Sequence, residues 1–214
     1  MITRRNFVKG AAAAGGLMFL PSCATNKVKN ANGKMNIAVI GAGGMGGAIF
    51  NYIKGANNVN VVAICDVDRK HAAKAIKDNP SIPFFEDYRV MFDKMGNQID
   101  GVTVSTPDHM HYPQSAWAIA NGKHVFCQKP LTRTIWEAEE LKRLAKEAGV
   151  FTQMGNQGHT NEGWRLIKEW YEAGILGEIE DIYIWTNRPI WPQGDLKMPA
   201  GEKVPSTLNY KLWL

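Results

Sequence analysis

The hexapeptide Gly41-Ala42-Gly43-Gly44-Met45-Gly46 stands directly behind the apolar run Met35–Ile40, and no other feature of the 214 residues restricts the fold as much. The run is short, apolar and rich in β-branched residues, the pattern of a strand buried on both faces of a parallel sheet. The glycines match G-x-G-x-x-G. Gly41 permits a tight turn, Gly43 lets bare backbone approach a pyrophosphate, and Gly46 lets the next helix pack closely on the strand. Gly44 and Met45 complete the loop. A helix is expected over 48–54, then a second strand over Val59–Cys65 that ends in Asp66. A carboxylate at that place accepts from both hydroxyls of an adenosine ribose and repels a 2′-phosphate, so NAD is expected over NADP. Asp68 and Arg69 weaken that preference, because a nearby arginine can receive the phosphate. A lone G-x-G-x-x-G is weak evidence. Here strand, turn, helix, second strand and acid all occur in register, which sets the segment apart from a glycine-rich turn in an unrelated α/β domain.

The alternation continues. Helices are expected over 68–77, Tyr88–Met95 and 112–121, and strands over 83–86, 99–105 and 124–127. Thr134-Ile135-Trp136-Glu137 fits a capping box, and Gly149 fits the C-terminal stop of the helix it opens. A strand over 150–154 follows. Strands alternating with helices mean a doubly wound parallel sheet, so 35–155 reads as an α/β dinucleotide-binding Rossmann domain. From about Asn156 the pattern changes. A helix over 162–173 stops at Gly174, and 178–187 alternates apolar with polar residues like a strand with one covered face. Residues 156–214 therefore read as the incomplete beginning of an α+β, open-sheet second domain.

Charge separates the front of the chain from the rest. The formal net charge is +5, yet residues 1–34 hold Arg4, Arg5, Lys9, Lys27, Lys29 and Lys34 with no acid. The remainder is close to neutral and has no basic block of the kind that grips phosphate backbones, so nucleic acid is not an expected partner. A charged start and a short run of small apolar residues (10–20) read as an export signal, too short to span a bilayer. Arg4-Arg5-Asn6-Phe7-Val8-Lys9 resembles a twin-arginine (Tat) signal, which implies export after folding. Leu20-Pro21-Ser22-Cys23 resembles a lipobox, which implies lipidation at Cys23; a plain cleavable signal with an incidental cysteine is the other reading. Residues 24–34 read as a flexible tether. The expected location is the periplasm, free or as a membrane-anchored lipoprotein, with membrane contact only through the signal or lipid. Cys65 and Cys127 fall at the ends of buried strands and read as small core residues.

The dinucleotide unit, Ser105-Thr106-Pro107-Asp108 and Gln128-Lys129-Pro130 together resemble the Gfo/Idh/MocA family, the group of glucose–fructose oxidoreductase and inositol dehydrogenase. The resemblance covers 35–214 and is densest over 36–160. It implies hydride transfer between NAD(P) and a sugar or polyol carbon, and a homo-oligomer joined through the second-domain sheet. Position by position it assigns Gly41, Gly43, Gly46, Asp66, Thr106, Pro107 and Asp108 to the cofactor. Lys129 matches the lysine of the family's Glu-Lys-Pro motif, beside nicotinamide and substrate. An ammonium there can hold the reacting hydroxyl and stabilise a developing oxyanion. Two departures stand out. Gln128 replaces the glutamate, and an amide can bind a hydroxyl but cannot carry charge or take a proton. The family's later acid/His pair has no counterpart before Leu214, so the chain reads as an N-terminal fragment that is catalytically incomplete. Hydride transfer, net glycoside cleavage through transient oxidation, and a non-catalytic carbohydrate-binding role all remain open.

Other groups are read more loosely. His109 and His111 could suggest a metal site, but no third ligand is apparent, so no metal is expected. His111 is instead expected at a helix start facing the cofactor cleft, and His111 and Gln128 are both candidate cofactor contacts. Asn156, Gln157 and His159 follow a strand end, where such sheets place ligands, and are candidate substrate contacts. Trp185, Arg188, Trp191 and Trp213 form either a sugar-stacking wall or a set of core and interface aromatics.

Overall fold

The computed structural model describes residues 33–188, 197 and 200–214. The leader with Arg4, Arg5 and Cys23, and Trp191 of the aromatic group, lie outside the described residues. From residue 35 the chain alternates β1 (Met35–Ile40), α1 (Gly44–Lys54), β2 (Val59–Cys65), α2 (Ala73–Asp78), β3 (Phe84–Phe85) and α3 (Tyr88–Met95). It continues with β4 (Gly101–Val104), α4 (His111–Ala120), β5 (His124–Gln128), α5 (Ile135–Ala148) and β6 (Thr152–Gly155). The six strands form one sheet in the order β3-β2-β1-β4-β5-β6, and every pairing is parallel. The order reverses between β1 and β4, which opens a crevice at the carboxyl ends of those strands.

Two-residue periodicity divides the core between the two faces of the sheet. Ala38, Ile40, Ala63, Cys65, Val102, Val104, Val125 and Cys127 point to one face and pack with Met91, Phe92, Ile119 and Leu141 of α3, α4 and α5. Val39 and Ile64 point to the other, where Phe50 of α1 and Ala75 of α2 cover them. The expected capping box is present: the Glu137 N–H donates to Thr134 Oγ1 at 3.2 Å, and the Glu137 carboxylate accepts from the Thr134 N–H at 3.2 Å. Gly149 ends α5 in the left-handed conformation, φ 65°.

Three departures from the sequence reading have a physical cause. α1 starts at Gly44, four residues early, because its first turn grows straight out of the glycine loop with no side chain capping it. α2 starts only at Ala73. The Asp68 carboxylate accepts from the N–H groups of Lys70 (2.9 Å) and His71 (3.3 Å), and that local turn competes with the helix. The strand expected over 178–187 is not formed. A strand needs a neighbour for its backbone groups, and no ladder partner for it lies among the described residues. Beyond β6 the chain forms α6 (Glu162–Glu172), capped by Asn161, and a short α7 (Tyr210–Trp213) that periodicity does not signal.

Candidate cofactor site

The crevice at the strand-order reversal holds a cavity of about 670 Å³, within the roughly 300–1,000 Å³ range of small-molecule sites. Its floor is the turn after β1. Gly41 has φ +84°, and a Cβ there would meet the Ser105 carbonyl at 2.5 Å. A Cβ on Gly46 would meet the Gly41 carbonyl at 2.1 Å, so helix and turn are packed backbone to backbone. The first N–H groups of α1 lack intrahelical partners, as at any helix start, and none is capped by a side chain. With the helix dipole they make an anion seat.

Asp66 stands at the end of β2, almost buried, beside this turn. One carboxylate oxygen accepts from the Ala42 N–H at 2.9 Å and the other from the Asp68 N–H at 2.9 Å. Each oxygen keeps a second lone pair, so the carboxylate is oriented by the backbone and still able to accept two ribose hydroxyls. The donor set, the bare glycine turn and the cavity volume fit a dinucleotide. Arg69 is turned away from the opening: its guanidinium lies 4.8 Å above the Phe84 ring and it does not line the cavity. The softening toward NADP expected from Arg69 is therefore not built in. Arg89 does line the cavity, but its guanidinium grips the Asp87 carboxylate at 2.8 Å. That guanidinium holds the Asp87 carboxyl below its ordinary range, although burial opposes it.

The structure brings together Gly41, Gly43, Gly44, Met45, Asp66, Thr106 and Pro107 around one cavity. Gly46 lies just beneath it. Asp108 opens the short 3-10 turn Asp108–Met110 and does not line the cavity. His111 corrects the sequence reading. It sits at the start of α4 as expected, but the ring is buried rather than facing the cleft. Its Nδ1 lies 2.6 Å from the Pro130 carbonyl oxygen and its Nε2 2.8 Å from that of Thr106. The carbonyls of the two loops occupy both polar atoms of the ring, and nothing is left for the cofactor.

Lys129 is exposed at the end of β5, beside the buried Gln128 and before a cis Pro130. Neither Lys129 nor Gln128 lines the cavity. Gln128 Oε1 accepts from Gln157 Nε2 at 2.7 Å, which ties the β5 end to the loop after β6, while Gln128 Nε2 is buried without a partner. Of the other candidate substrate contacts, His159 stacks on Trp164 with ring centres 5.9 Å apart, and Asn156 is exposed. The aromatic wall is not assembled as a unit: Trp213 lines the nucleotide cavity, whereas Trp185 is exposed and does not.

Sequence reasoning missed several wall residues. The His71 ring fills the space beside Gly43, where a Cβ would lie 2.1 Å from Nδ1. The Thr106 hydroxyl donates to Gln114 Oε1 at 2.7 Å, which fixes the loop after β4. Gln114 is a buried polar residue on α4, a signal that could have been read. Leu208, Lys211, Leu212 and Leu214 also line the cavity, beside Trp213, and no periodicity marks them.

Known proteins agree with this geometry. Over 157 residues the chain is 26% identical to D-glucoside 3-dehydrogenase of Escherichia coli (strain K12), matching 73% of the chain and 43% of that protein. It is 25% identical over 157 residues to 2,7-anhydro-N-acetylneuraminate hydratase of the same organism, covering 73% of the chain and 40% of that protein. The crystal structure of an NAD-binding protein from Listeria innocua superposes with a TM-score of 0.62 at 26% identity, over 68% of this chain and 42% of that one. The chain thus spans about two-fifths of the length of the curated relatives it matches. The model of the oxidoreductase family with an NAD-binding Rossmann fold matches residues 35–156, more than half of the chain. With the 3-2-1-4-5-6 sheet, the glycine turn and Asp66 in place, the chain belongs to the Gfo/Idh/MocA oxidoreductase family, and its cofactor site is that family's NAD-binding Rossmann domain.

Proposed function

We propose that this chain is the cofactor-binding part of an exported, NAD-dependent oxidoreductase that acts on a hydroxyl-bearing carbon of a sugar or polyol. The observation that carries the reading is Asp66: a nearly buried carboxylate, oriented by two backbone N–H groups, at the edge of a cavity floored by the glycine turn. Asp66 takes the adenosine ribose, and Gly43 with the start of α1 takes the diphosphate. Thr106 and Pro107 wall the end nearer β4. Bound there, NAD supplies a hydride acceptor or donor. Lys129 holds the reacting hydroxyl and compensates the negative charge that grows on its oxygen. Gln128, buried and locked to Gln157, fixes the end of β5 beside Lys129 and cannot exchange a proton. The D-glucoside 3-dehydrogenase similarity supports a sugar as substrate. The positive leader with Arg4-Arg5 and Cys23 supports export, as a periplasmic protein or a lipoprotein anchored at Cys23.

A second reading is favoured by the hydratase relative, whose named reaction is redox-neutral. In it the sugar is oxidised only transiently, an adjacent bond is broken, and the hydride returns, so bound NAD is regenerated in each turnover. Titration of the chain with NADH, followed by fluorescence, tests the common core. Saturable binding that Asp66→Ala weakens by about tenfold or more is expected, and wild-type chain that binds no NADH would sink both readings. Incubation of the protein with glycosides and NAD then separates them: net NADH marks the dehydrogenase, and product without NADH marks the recycling enzyme. Sugar binding without turnover would instead mark a carbohydrate-binding protein. Turnover unchanged by Lys129→Ala would remove Lys129 from its assigned role.

A further inference from the structure

We infer that residues 205–214 are part of the nucleotide site, a clasp that lies across the bound dinucleotide and slows its release. The inference rests on the cofactor reading above. The segment is tied down at both ends of the crevice. At the adenosine end, directly after Asp66, the Asn209 N–H donates to the Val67 carbonyl at 2.8 Å and the Arg69 N–H donates to the Thr207 carbonyl at 3.3 Å. Leu208 forms an isolated antiparallel bridge with Asp68. The Asn209 amide donates to Glu86 Oε2 at 3.3 Å. At the other end, directly after Thr106-Pro107-Asp108, the His109 and Trp213 rings meet edge to face with centres 4.7 Å apart, and His109 Nε2 contacts the Trp213 carbonyl. Tyr210 stacks on Trp213 from the start of the single turn of α7, 5.8 Å between centres.

Between these two anchorages Leu208, Lys211, Leu212 and Trp213 line the same cavity as the glycine turn and Asp66. Surface loops usually direct their backbone groups to water. This one gives its own to the two loops that flank the cofactor. The apolar side chains exclude water over the site. Lys211 adds a cation to a wall rich in acids (Asp66, Asp68, Glu86 and Asp87), and a diphosphate needs that charge. A dinucleotide running from Asp66 to Thr106 passes beneath the segment, so it leaves only after one anchorage opens. A cofactor that stays bound through many turnovers suits an exported enzyme, where free NAD is scarce, and suits the redox-neutral reading.

The test is the rate of NADH release from the 214-residue chain, chased with excess NAD and followed by NADH fluorescence in a stopped-flow instrument. Trp213→Ala should release NADH about tenfold faster or more, with association changed by less than about twofold, because affinity differences among variants of one site fall mostly on release. Asn209→Pro removes the N–H that holds Val67 and should also accelerate release. Trp213→Phe, which keeps a ring against His109, should restore slow release. Release from both Trp213→Ala and Asn209→Pro within about twofold of wild type would overturn the clasp while leaving the cofactor reading intact. Wild-type chain that binds no NADH would remove both.

Discussion

Helices α5 and α6 are both amphipathic, and only α5 is buried. On α5 the Leu141 and Ala145 side chains enter the core against α4 and β5, while Arg143 on the outer face bridges Glu140 and Glu147 at 2.6 Å and 2.5 Å. α6 has the sharper apolar face, with Trp164, Ile167, Trp170 and Tyr171 on one side, yet among the described residues only the His159 ring stacks on it, at Trp164, and all four side chains stay exposed. The same holds for Ile182, Ile184 and Trp185 just beyond. Periodicity therefore encodes which face of a helix wants cover. It does not encode the cover, which must come from another element. Residues 34–155 satisfy their own pattern, and 156–188 display one.

The sharpest way to break this contrast is to disturb the closed region. Gly46→Ala drives a methyl group into the Gly41 carbonyl, where neither backbone can yield. A loss on the order of 3–5 kcal/mol or outright failure to fold is expected, read by urea unfolding of the purified chain. Phe50→Ala in α1 should cost about 3–5 kcal/mol by the same measurement, since the ring is fully buried against Val39 and Ile64. The thiols give a chemical version of the test. Burial pushes the Cys127 thiol up to about 11, with the Ser115 hydroxyl opposing, and pushes the Cys65 thiol up further still, with the Asp66 and Asp87 carboxylates adding to the rise. Both stay protonated at pH 8, so iodoacetamide followed by peptide mapping should label neither in the folded chain and both in urea. At the other extreme, Ile167→Ser on α6 should move the urea midpoint by no more than about 0.5 kcal/mol equivalent. A larger loss would mean that α6 is packed within this chain and that the contrast is false.

The smallest expected effect is one of pH. Asp68 is held below its ordinary value: burial raises it, but the Thr207 hydroxyl and the His71 and Lys70 N–H groups outweigh burial. A depressed carboxyl stabilises above its unfolded value of about 3.9, and that contribution disappears as pH falls through the lower, folded value. NADH release should therefore be flat from pH 8 to about pH 5 and quicken only below about pH 4. Asp68→Asn should flatten the acid limb.

Much of the closed region was legible before the fold was seen. Glycine turn, strand, acid and capping box each follow from a local rule: a backbone that must turn, a face that must be buried, an N–H that must be satisfied. What escaped was nonlocal. His111 reads as a cleft residue because a histidine at a helix start beside a ligand loop commonly is one; two carbonyls from distant loops decide otherwise. The late rise of α2 escaped because Asp68 competes for the same N–H groups a helix would leave bare. The 178–187 segment reads as a strand because alternation states a preference, and the preference is realised only when a neighbour is present. Residues 205–214 carry no period at all, and their place over the cavity depends on partners more than a hundred residues away, as Asn209 and Glu86 show.

The ring of His111 has a mechanical consequence. Standing between the Thr106 and Pro130 carbonyl oxygens, each within hydrogen-bond distance of a ring nitrogen, it joins the loop that walls the cavity to the loop that carries Lys129. A push on either loop is transmitted to its neighbour through one stiff, five-membered plate. A shift of the Thr106 loop and a shift of the Lys129 loop then become a single adjustment of one jointed frame.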